Sequence, residues 1–375
     1  MAHQIKPLLG AASKITGGCG GDDWRIICGD SLKILPRLPE KSANLIFADP
    51  PYNLQLKNKL YRPNMTKVSG VDDDWDKFES FDVYDEFCRA WLLECRRLLA
   101  DDGTLWVIGS YHNIGRLARL MQDIGYWLLN DVIWKKSNPM PNFRGVRFTN
   151  ATETLLWAKK SEKAKYTFNH QQMKAENGGK QMTSVWEFPL CGGKERLRDT
   201  HGDKLHSTQK PEALLRRVIM SSTNPGDVVV NPFLGSGTTL GVARKLGRIG
   251  VGIEREKKYT QLAYKRVLAA RKDFVILENP IKPPRVAFKK LIEERLIKKG
   301  RNIYFRQGEI KAQILQSGNI KLNGQWNQIG SIHRMGALAG DSAECNGWMN
   351  WYIKESDGFV CINEIREKYR SRIGT

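Results

Sequence analysis

The run Val228-Val229-Val230-Asn231-Pro232-Phe233-Leu234-Gly235-Ser236-Gly237-Thr238-Thr239 passes from β-branched residues through a glycine turn into a helix carrying Val242, Ala243 and Leu246. A strand, a tight glycine turn and a helix in that order is the repeating unit of an α/β sheet. Glycines at such a turn let the backbone approach a ligand closely, and the helix N-terminus favours negative charge. Two common ligand loops are excluded. A P-loop needs Gly-Lys-Ser/Thr, which is absent, and a dinucleotide fingerprint needs a third glycine where Leu240 stands.

The next strand, Ile249-Gly250-Val251-Gly252-Ile253, ends in Glu254, a residue suited to accept from two ribose hydroxyls. The turn therefore fits a nucleoside without a pyrophosphate, and S-adenosylmethionine is the natural candidate. A second strand end carries different chemistry. Leu45-Ile46-Phe47-Ala48 closes in Asp49-Pro50-Pro51-Tyr52. Prolines fix φ and carry no N–H, so the peptide carbonyls there lack local donors and can point at a ligand. With the Asp49 carboxylate and the flat face of Tyr52, these groups are what is needed to grip an exocyclic amine beside a planar ring.

Strand and helix alternate from Trp24 onward. Arg25 to Cys28 reads as a strand, Leu32 to Leu35 as a short helix, Asp82 to Leu99 as a helix stopped by Gly103, and Leu105 to Ile108 and Trp127 to Trp134 as strands. Phe87, Trp91 and Leu98 share the apolar stripe of that long helix. The pattern predicts an α/β fold with a doubly wound, mostly parallel sheet. Residues 1–22 read as a flexible N-terminal arm, 23–279 as the main domain, 280–285 as a proline-rich hinge and 286–375 as a small α+β module. In that module Phe288 to Ile297 reads as a helix and Ile310 to Leu322 as a hairpin turned at Ser317-Gly318-Asn319. Two polar segments, 53–75 and 159–205, interrupt the rhythm of the main domain.

With 60 basic against 40 acidic residues, the formal net charge is +20, a field that draws polyanions such as nucleic acid. Eleven tryptophans add rings able to stack on bases. Seven cysteines without a Cys-x-x-Cys pair or an adjacent histidine cluster argue against a zinc site and a disulfide framework, and for a reducing cytosol. No apolar run approaches the ~20 residues of a membrane span.

Together, Asp49-Pro50-Pro51-Tyr52, the Phe-x-Gly-x-Gly turn and His206-Ser207-Thr208-Gln209-Lys210-Pro211 resemble the amino-methylating DNA methyltransferases. The catalytic element precedes the cofactor loop, the order of their permuted β group. Asp49 to Leu56, Trp106 to Ile114, Lys136 to Phe143 and Cys345-Asn346-Gly347-Trp348 are similar to the cell-cycle-regulated DNA adenine methyltransferases, from about Ile26 to the C-terminus. The resemblance implies the S-adenosylmethionine-dependent methyltransferase fold, adenine N6 methylation in 5′-GANTC, a homodimer on double-stranded DNA, and a bacterial cytoplasm. It implies catalytic roles for Asp49, Pro50 and Tyr52. Cofactor contacts fall to Asp30, Thr208, Lys210, Phe233, Gly235, Gly237, Thr238 and Glu254, with Thr208 and Lys210 at the methionine end. DNA contacts fall to Asn53, Lys57, Arg62, Lys67, Arg144, Asn346 and Trp348, target recognition to the segments 53–75 and 159–205, and duplex binding to the C-terminal module. No metal is implied. Two other readings stay open at this point: methylation of the cytosine N4 amine, and a non-catalytic basic nucleoid protein. Methylation at cytosine carbon is set aside, because the chain has no Pro-Cys dipeptide to supply the nucleophile.

Overall fold

The computed structural model describes residues 5–15, 17–54, 76–142, 145–199, 202, 204–205, 208–271, 284–308, 310–323 and 328–373. They fall into two compact units, Met1–Pro280 and Ile281–Thr375.

In the first unit the described strands are β1 (Gly18–Gly21), β2 (Trp24–Cys28), β3 (Ala43–Ala48), β4 (Leu99–Gly109), β5 (Trp127–Lys136), β6 (Thr152–Lys159), β7 (Val185–Phe188), β8 (Val228–Asn231) and β9 (Ile249–Glu254). They form one sheet in the order β1-β2-β9-β8-β3-β4-β6-β5-β7. The five strands from β2 to β4 run parallel, and β1 and β6 pair antiparallel with their neighbours. Parallel neighbours need crossover helices, which cover both faces of the sheet.

Alternation along the strands decides what each face buries. Ile46 and Ala48 of β3, with Leu105 and Val107 of β4, pack under α3 (Phe81–Leu98) and α4 (Ile114–Ile124). Leu45 and Phe47, with Trp106 and Ile108, pack on α6 (Glu212–Ser222) and α7 (Thr238–Lys245). Trp106 stacks on Trp157 at 5.1 Å and donates its indole N–H to Ser222 Oγ at 2.9 Å. Each such fully buried side chain contributes about 1.5–3 kcal/mol, so a strand slipped by one residue would forfeit both faces at once.

Three expectations change. Residues 5–15 and 17–22 are not a loose arm. Leu8 and Ala12 of α1 (Ile5–Ser13), with Ile15, are buried in the first core, and glycine-rich β1 pairs with β2 through its backbone. Gly103 does not stop α3, which ends at Leu98, capped by Leu99; it lies inside β4, where an added Cβ would come within 2.7 Å of the Ala43 carbonyl. The segment 159–205 is not wholly irregular, since it holds α5 (His170–Glu176) and β7, the latter parallel to β5 at the sheet edge.

The second unit carries β10 (Asn302–Phe305), β11 (Lys311–Ile314), β12 (Ile320–Leu322), β13 (Ile329–Gly330), β14 (Trp351–Glu355) and β15 (Gly358–Cys361), antiparallel throughout in the order β13-β12-β11-β10-β14-β15. Gly318, at φ 85°, makes the β11–β12 turn that its sequence predicts. Phe288 and Leu291 of α9 (Phe288–Glu293) and Ile362 of α12 (Ile362–Ile373) fill this unit's own core.

Candidate active site

The carboxyl ends of the parallel strands converge, as open α/β sheets require of a ligand site. β2 leads to Asp30, β3 to Asp49, β8 to the Asn231-Pro232-Phe233 turn, and β9 ends in Glu254. Between them lies a cavity of about 340 Å³, to which Asp30, Phe233, Gly235, Thr238, Glu254, Thr208 and Lys210 all contribute.

Local bonds explain how the turn is held. Asn231 Oδ1 accepts the Phe233 N–H at 2.8 Å and its amide donates to Thr239 Oγ1 at 2.8 Å, tying the strand end to the helix start. Trp91 meets the Phe233 ring edge-on at 5.4 Å. Glu254 Oε2 accepts the Gly235 N–H at 2.7 Å and Oε1 accepts the Glu256 N–H at 2.8 Å. Burial lifts the Glu254 carboxyl above its ordinary value, against those two N–H groups. Asp30 caps α2 (Ser31–Ile34) through the Leu32 N–H at 3.0 Å and also lines the cavity, so its helix-capping and ligand-facing readings hold together. Gly235 and Gly237 both have positive φ, 55° and 80°. Gly237, expected to admit a cofactor, faces α8 (Lys257–Ala269) instead: an added Cβ would stand 2.7 Å from the Ala263 Cα. It permits close helix packing under the turn rather than touching the cavity.

This donor set suits a nucleoside bearing a positive charge. Carboxylates rather than a P-loop lysine line the cavity at the turn, an aromatic face lies beside them, and the volume matches a small-molecule site.

At Asp49 the geometry holds more than its sequence signals. Lys210 Nζ donates to both Asp49 oxygens, at 2.9 and 2.7 Å, and stands 5.3 Å from the Tyr52 ring centre. Tyr52 Oη lies 3.1 Å from Asp49 Oδ1 and 3.2 Å from Glu153 Oε2. Lys136 Nζ completes the chain 3.0 Å from Glu153 Oε1. The Lys210 side chain is 8% exposed, Asp49 19%, Glu153 13% and Lys136 8%. Burial pushes the Asp49 carboxyl up, only partly opposed by Lys210. Burial pulls the Lys210 ammonium down, but Asp49 and Glu153 outweigh it and hold it above its ordinary value. Burial, with both carboxylates beside it, keeps the Tyr52 phenol protonated.

Asp76 clamps the chain beyond the motif. Its carboxylate accepts the N–H groups of Tyr52, Asn53 and Leu54 at 2.5, 2.9 and 3.0 Å. Of the proline carbonyls expected to lack donors, Pro51's accepts from Tyr84 Oη at 2.8 Å. Sequence reasoning missed Glu153, Lys136, Asp76 and Tyr84, and placed Lys210 at the methionine end alone. A recess of about 40 Å³ also borders Asp49, lined with it by Pro50, Tyr52, Leu54, Asp76, Thr208 and Lys210. Among the described residues no group of three or more His, Cys, Asp or Glu gathers as a metal would need.

The expected DNA contacts divide. Lys57, Arg62, Lys67 and Arg144 lie outside the described residues. Asn53 is 4% exposed, at φ 53°, because the Asp76 clamp turns it inward. Trp348 is core, not a free stacking face: Phe288 meets it at 5.9 Å and the Arg366 guanidinium covers its ring at 4.3 Å. Asn346 caps α11 (Gly347–Asn350) through the Trp348 N–H at 3.2 Å.

Comparison with known proteins agrees with this geometry. A family profile described as DNA methylase matches residues 43–265, and one described as restriction enzyme adenine methylase associated matches 277–374. The chain is 46% identical over 350 residues to Type II methyltransferase M.HinfI of Haemophilus influenzae, covering 92% of this chain and 97% of that one. It is 42% identical over 246 residues to Type II methyltransferase M2.DpnII of Streptococcus pneumoniae, covering 65% and 89%. Among solved structures, PvuII DNA methyltransferase (cytosine-N4-specific) shares the fold, with a TM-score of 0.52 and 22% identity over 70% of this chain and 89% of that one. From the family match and the near full-length likeness, the chain belongs to the N6/N4 DNA methylase family.

Proposed function

We propose that this chain is a site-specific DNA methyltransferase that moves a methyl group from S-adenosylmethionine to the exocyclic N6 amine of adenine in 5′-GANTC. The observation that carries the reading is a shared wall: Asp49, Thr208 and Lys210 bound both the 340 Å³ cavity and the 40 Å³ recess. A donor in the first and an amine in the second would meet at Asp49. The methylase family and the likeness to a Type II methyltransferase support methylation of a DNA amine. The match of 277–374 to the adenine-methylase-associated profile favours adenine, and the GANTC context rests on the resemblance of the ordered motifs.

Bound S-adenosylmethionine would supply an electrophilic methyl on a sulfonium, with Asp30, Phe233, Gly235 and Glu254 as the residues to hold it. The rest falls to the protein. An adenine must leave the duplex, which costs a few kcal/mol of stacking and pairing. The recess has room for a few waters, so its Tyr52 and Leu54 wall must shift to admit a purine. Asp49 would then accept one amino hydrogen. Because Tyr84 occupies the Pro51 carbonyl, the other hydrogen falls to Pro50's. Holding both hydrogens takes the nitrogen lone pair out of conjugation and aims it. Positioning and a fixed field at the developing positive charge carry the rate. Asp49 need not be a strong base, since the amine turns acidic only on methylation.

Finer features belong to the same proposal: a cell-cycle-regulated member of the β group, a homodimer in a bacterial cytoplasm beside the nucleoid, the segments 53–75 and 159–205 reading the target, and the second unit adding duplex affinity through its basic residues. Digesting methylated duplex to nucleosides and weighing the modified base tests the central claim. N6-methyl-2′-deoxyadenosine from a GANTC duplex is the expected product; N4-methyl-2′-deoxycytidine, or no modified nucleoside, refutes it.

A further inference from the structure

Among the charged groups buried at the site, the pair Glu153 and Lys136 has no part in the mechanism above. Glu153 is the second residue of β6, and Lys136 is the last residue of β5, its antiparallel neighbour. The hairpin of these strands carries an ion pair of 3.0 Å to the rim of the catalytic carboxylate. An isolated carboxylate so placed would be costly, and Lys136 sets an opposite charge against it at 3.0 Å.

Counting lone pairs shows what Glu153 does for Asp49. A carboxylate offers about four acceptor sites. Lys210 takes one on each Asp49 oxygen, and Tyr52 reaches Oδ1. The Tyr52 hydroxyl has a single proton, and Glu153 Oε2 competes for it at nearly the same distance, 3.2 against 3.1 Å. Glu153 Oε2 also stands 3.8 Å from Lys210 Nζ, so the ammonium is shared between two anions. We infer that Glu153, seated on Lys136, is a positioning residue for methyl transfer: it draws the Tyr52 hydroxyl and part of the Lys210 charge away from Asp49, leaving Asp49 free to accept the substrate amine. The inference rests on the amine-methylating reading and deepens it.

Two carboxylates and two ammoniums balance across Asp49, Lys210, Glu153 and Lys136, with the neutral Tyr52 phenol between the acids and the positive field of Arg196 bearing on Lys210. The charge on Glu153 raises the proton affinity of both Asp49 and Lys210. Neutralising it therefore moves both limbs of a pH–rate profile toward acid, a displacement that a purely structural residue would not cause.

The test is single-turnover transfer of labelled methyl to a GANTC duplex by the full chain, across pH, for wild type and Glu153→Gln. The expected result is a loss of about tenfold to a hundredfold in rate, the range for hydrogen bonds to a charged group. Both limbs should shift to lower pH, and the cofactor dissociation constant should change less than about threefold. An unchanged rate and profile overturn the inference. Should Glu153→Gln melt early, the charge-balanced pair Lys136→Met with Glu153→Gln decides: a rate still depressed supports positioning, and full recovery means Glu153 only neutralises Lys136. Wild-type enzyme that marks cytosine instead would remove the adenine reading but leave this comparison valid, because the same groups grip either amine.

Discussion

Replacing Lys210 by Met separates two roles that the sequence could not. As a cofactor contact, Lys210 would govern S-adenosylmethionine affinity. As the partner of Asp49, 2.7 and 2.9 Å from its oxygens, it governs whether that acid is ionised. Met keeps the buried stem and removes the charge, leaving Asp49 and Glu153 with Lys136 as the neighbouring cation, 3.0 Å from Glu153. Breaking a buried pair from one side costs about 3–5 kcal/mol, and at about 2–4 °C per kcal/mol for a unit of this size the melting point falls by some 6–20 °C.

The sign of the pH dependence follows from the shifts. Asp49 has a raised folded value, so its contribution is fully present below the ordinary 3.8 and is lost as pH rises through the folded value. Without Lys210 that value climbs further, and the acid takes a proton rather than bear the whole cost. Lys210 also has a raised value, so wild type keeps its contribution up to the ordinary 10.5 and loses it only beyond, as pH passes the folded value. The stability gap between wild type and Lys210→Met therefore widens as pH rises above the raised wild-type value of Asp49 toward the still higher value of the variant. Thermal melts across that window, single-turnover rates and cofactor titration make the assay. Methyl transfer should fall at neutral pH and partly recover as pH rises, with cofactor affinity far less affected. A gap that is flat or narrows with pH, or affinity that drops as much as rate, would refute the pairing as the dominant role.

Asp49→Ala should abolish transfer while calorimetry still registers the cofactor, since Asp49 stands at the edge of the cavity rather than at its glycine turn. Glu254→Gln leaves one carbonyl oxygen where two carboxylate oxygens hold Gly235 and Glu256, and should weaken cofactor binding by about tenfold. Gly237→Ala forces a left-handed residue, about 1–2 kcal/mol, and meets Ala263 at 2.7 Å, so melting should drop by several degrees. Trp348→Ala should cost about 3–5 kcal/mol as a core deletion, seen as early melting of the second unit; normal melting with weakened DNA binding would instead restore it as a base-stacking residue.

Where the chain spells its chemistry in a continuous run, it could be read. Asp49 to Tyr52 and the turn from Asn231 to Thr238 sit at strand ends because the apolar alternation before them fixes which face is buried. What escaped is set by contacts between distant residues. Lys210 meets Asp49 from 161 positions away, and Glu153 is a single acid in an apolar strand, with no local pattern to mark it. Trp348 shows the converse error: aromatic and basic composition suggests a DNA surface, but only packing reveals that Phe288 and Arg366 already cover the ring. The N-terminal segment misled for a similar reason, since glycine-rich β1 contributes backbone pairing that side-chain patterns do not register.

The buried charges at Asp49 are better explained by chemistry than by stability. Burial raises the Asp49 carboxyl despite Lys210, so at neutral pH its negative charge works against folding. An apolar cluster of the same volume would be equal or more stable. The Asp76 clamp adds a cost of its own: its carboxylate is satisfied by three consecutive N–H groups, but the chain it gathers holds Asn53 at positive φ. Both features fix the same object, a carboxylate and an aromatic face beside a recess that shares a wall with the cavity. Neither is needed to close the sheet, whose two apolar faces already bury Leu45 to Ala48 of β3 and Leu105 to Ile108 of β4. The strain and the charge have their use at the reaction centre, where an ionised acid must be held in place before the amine arrives.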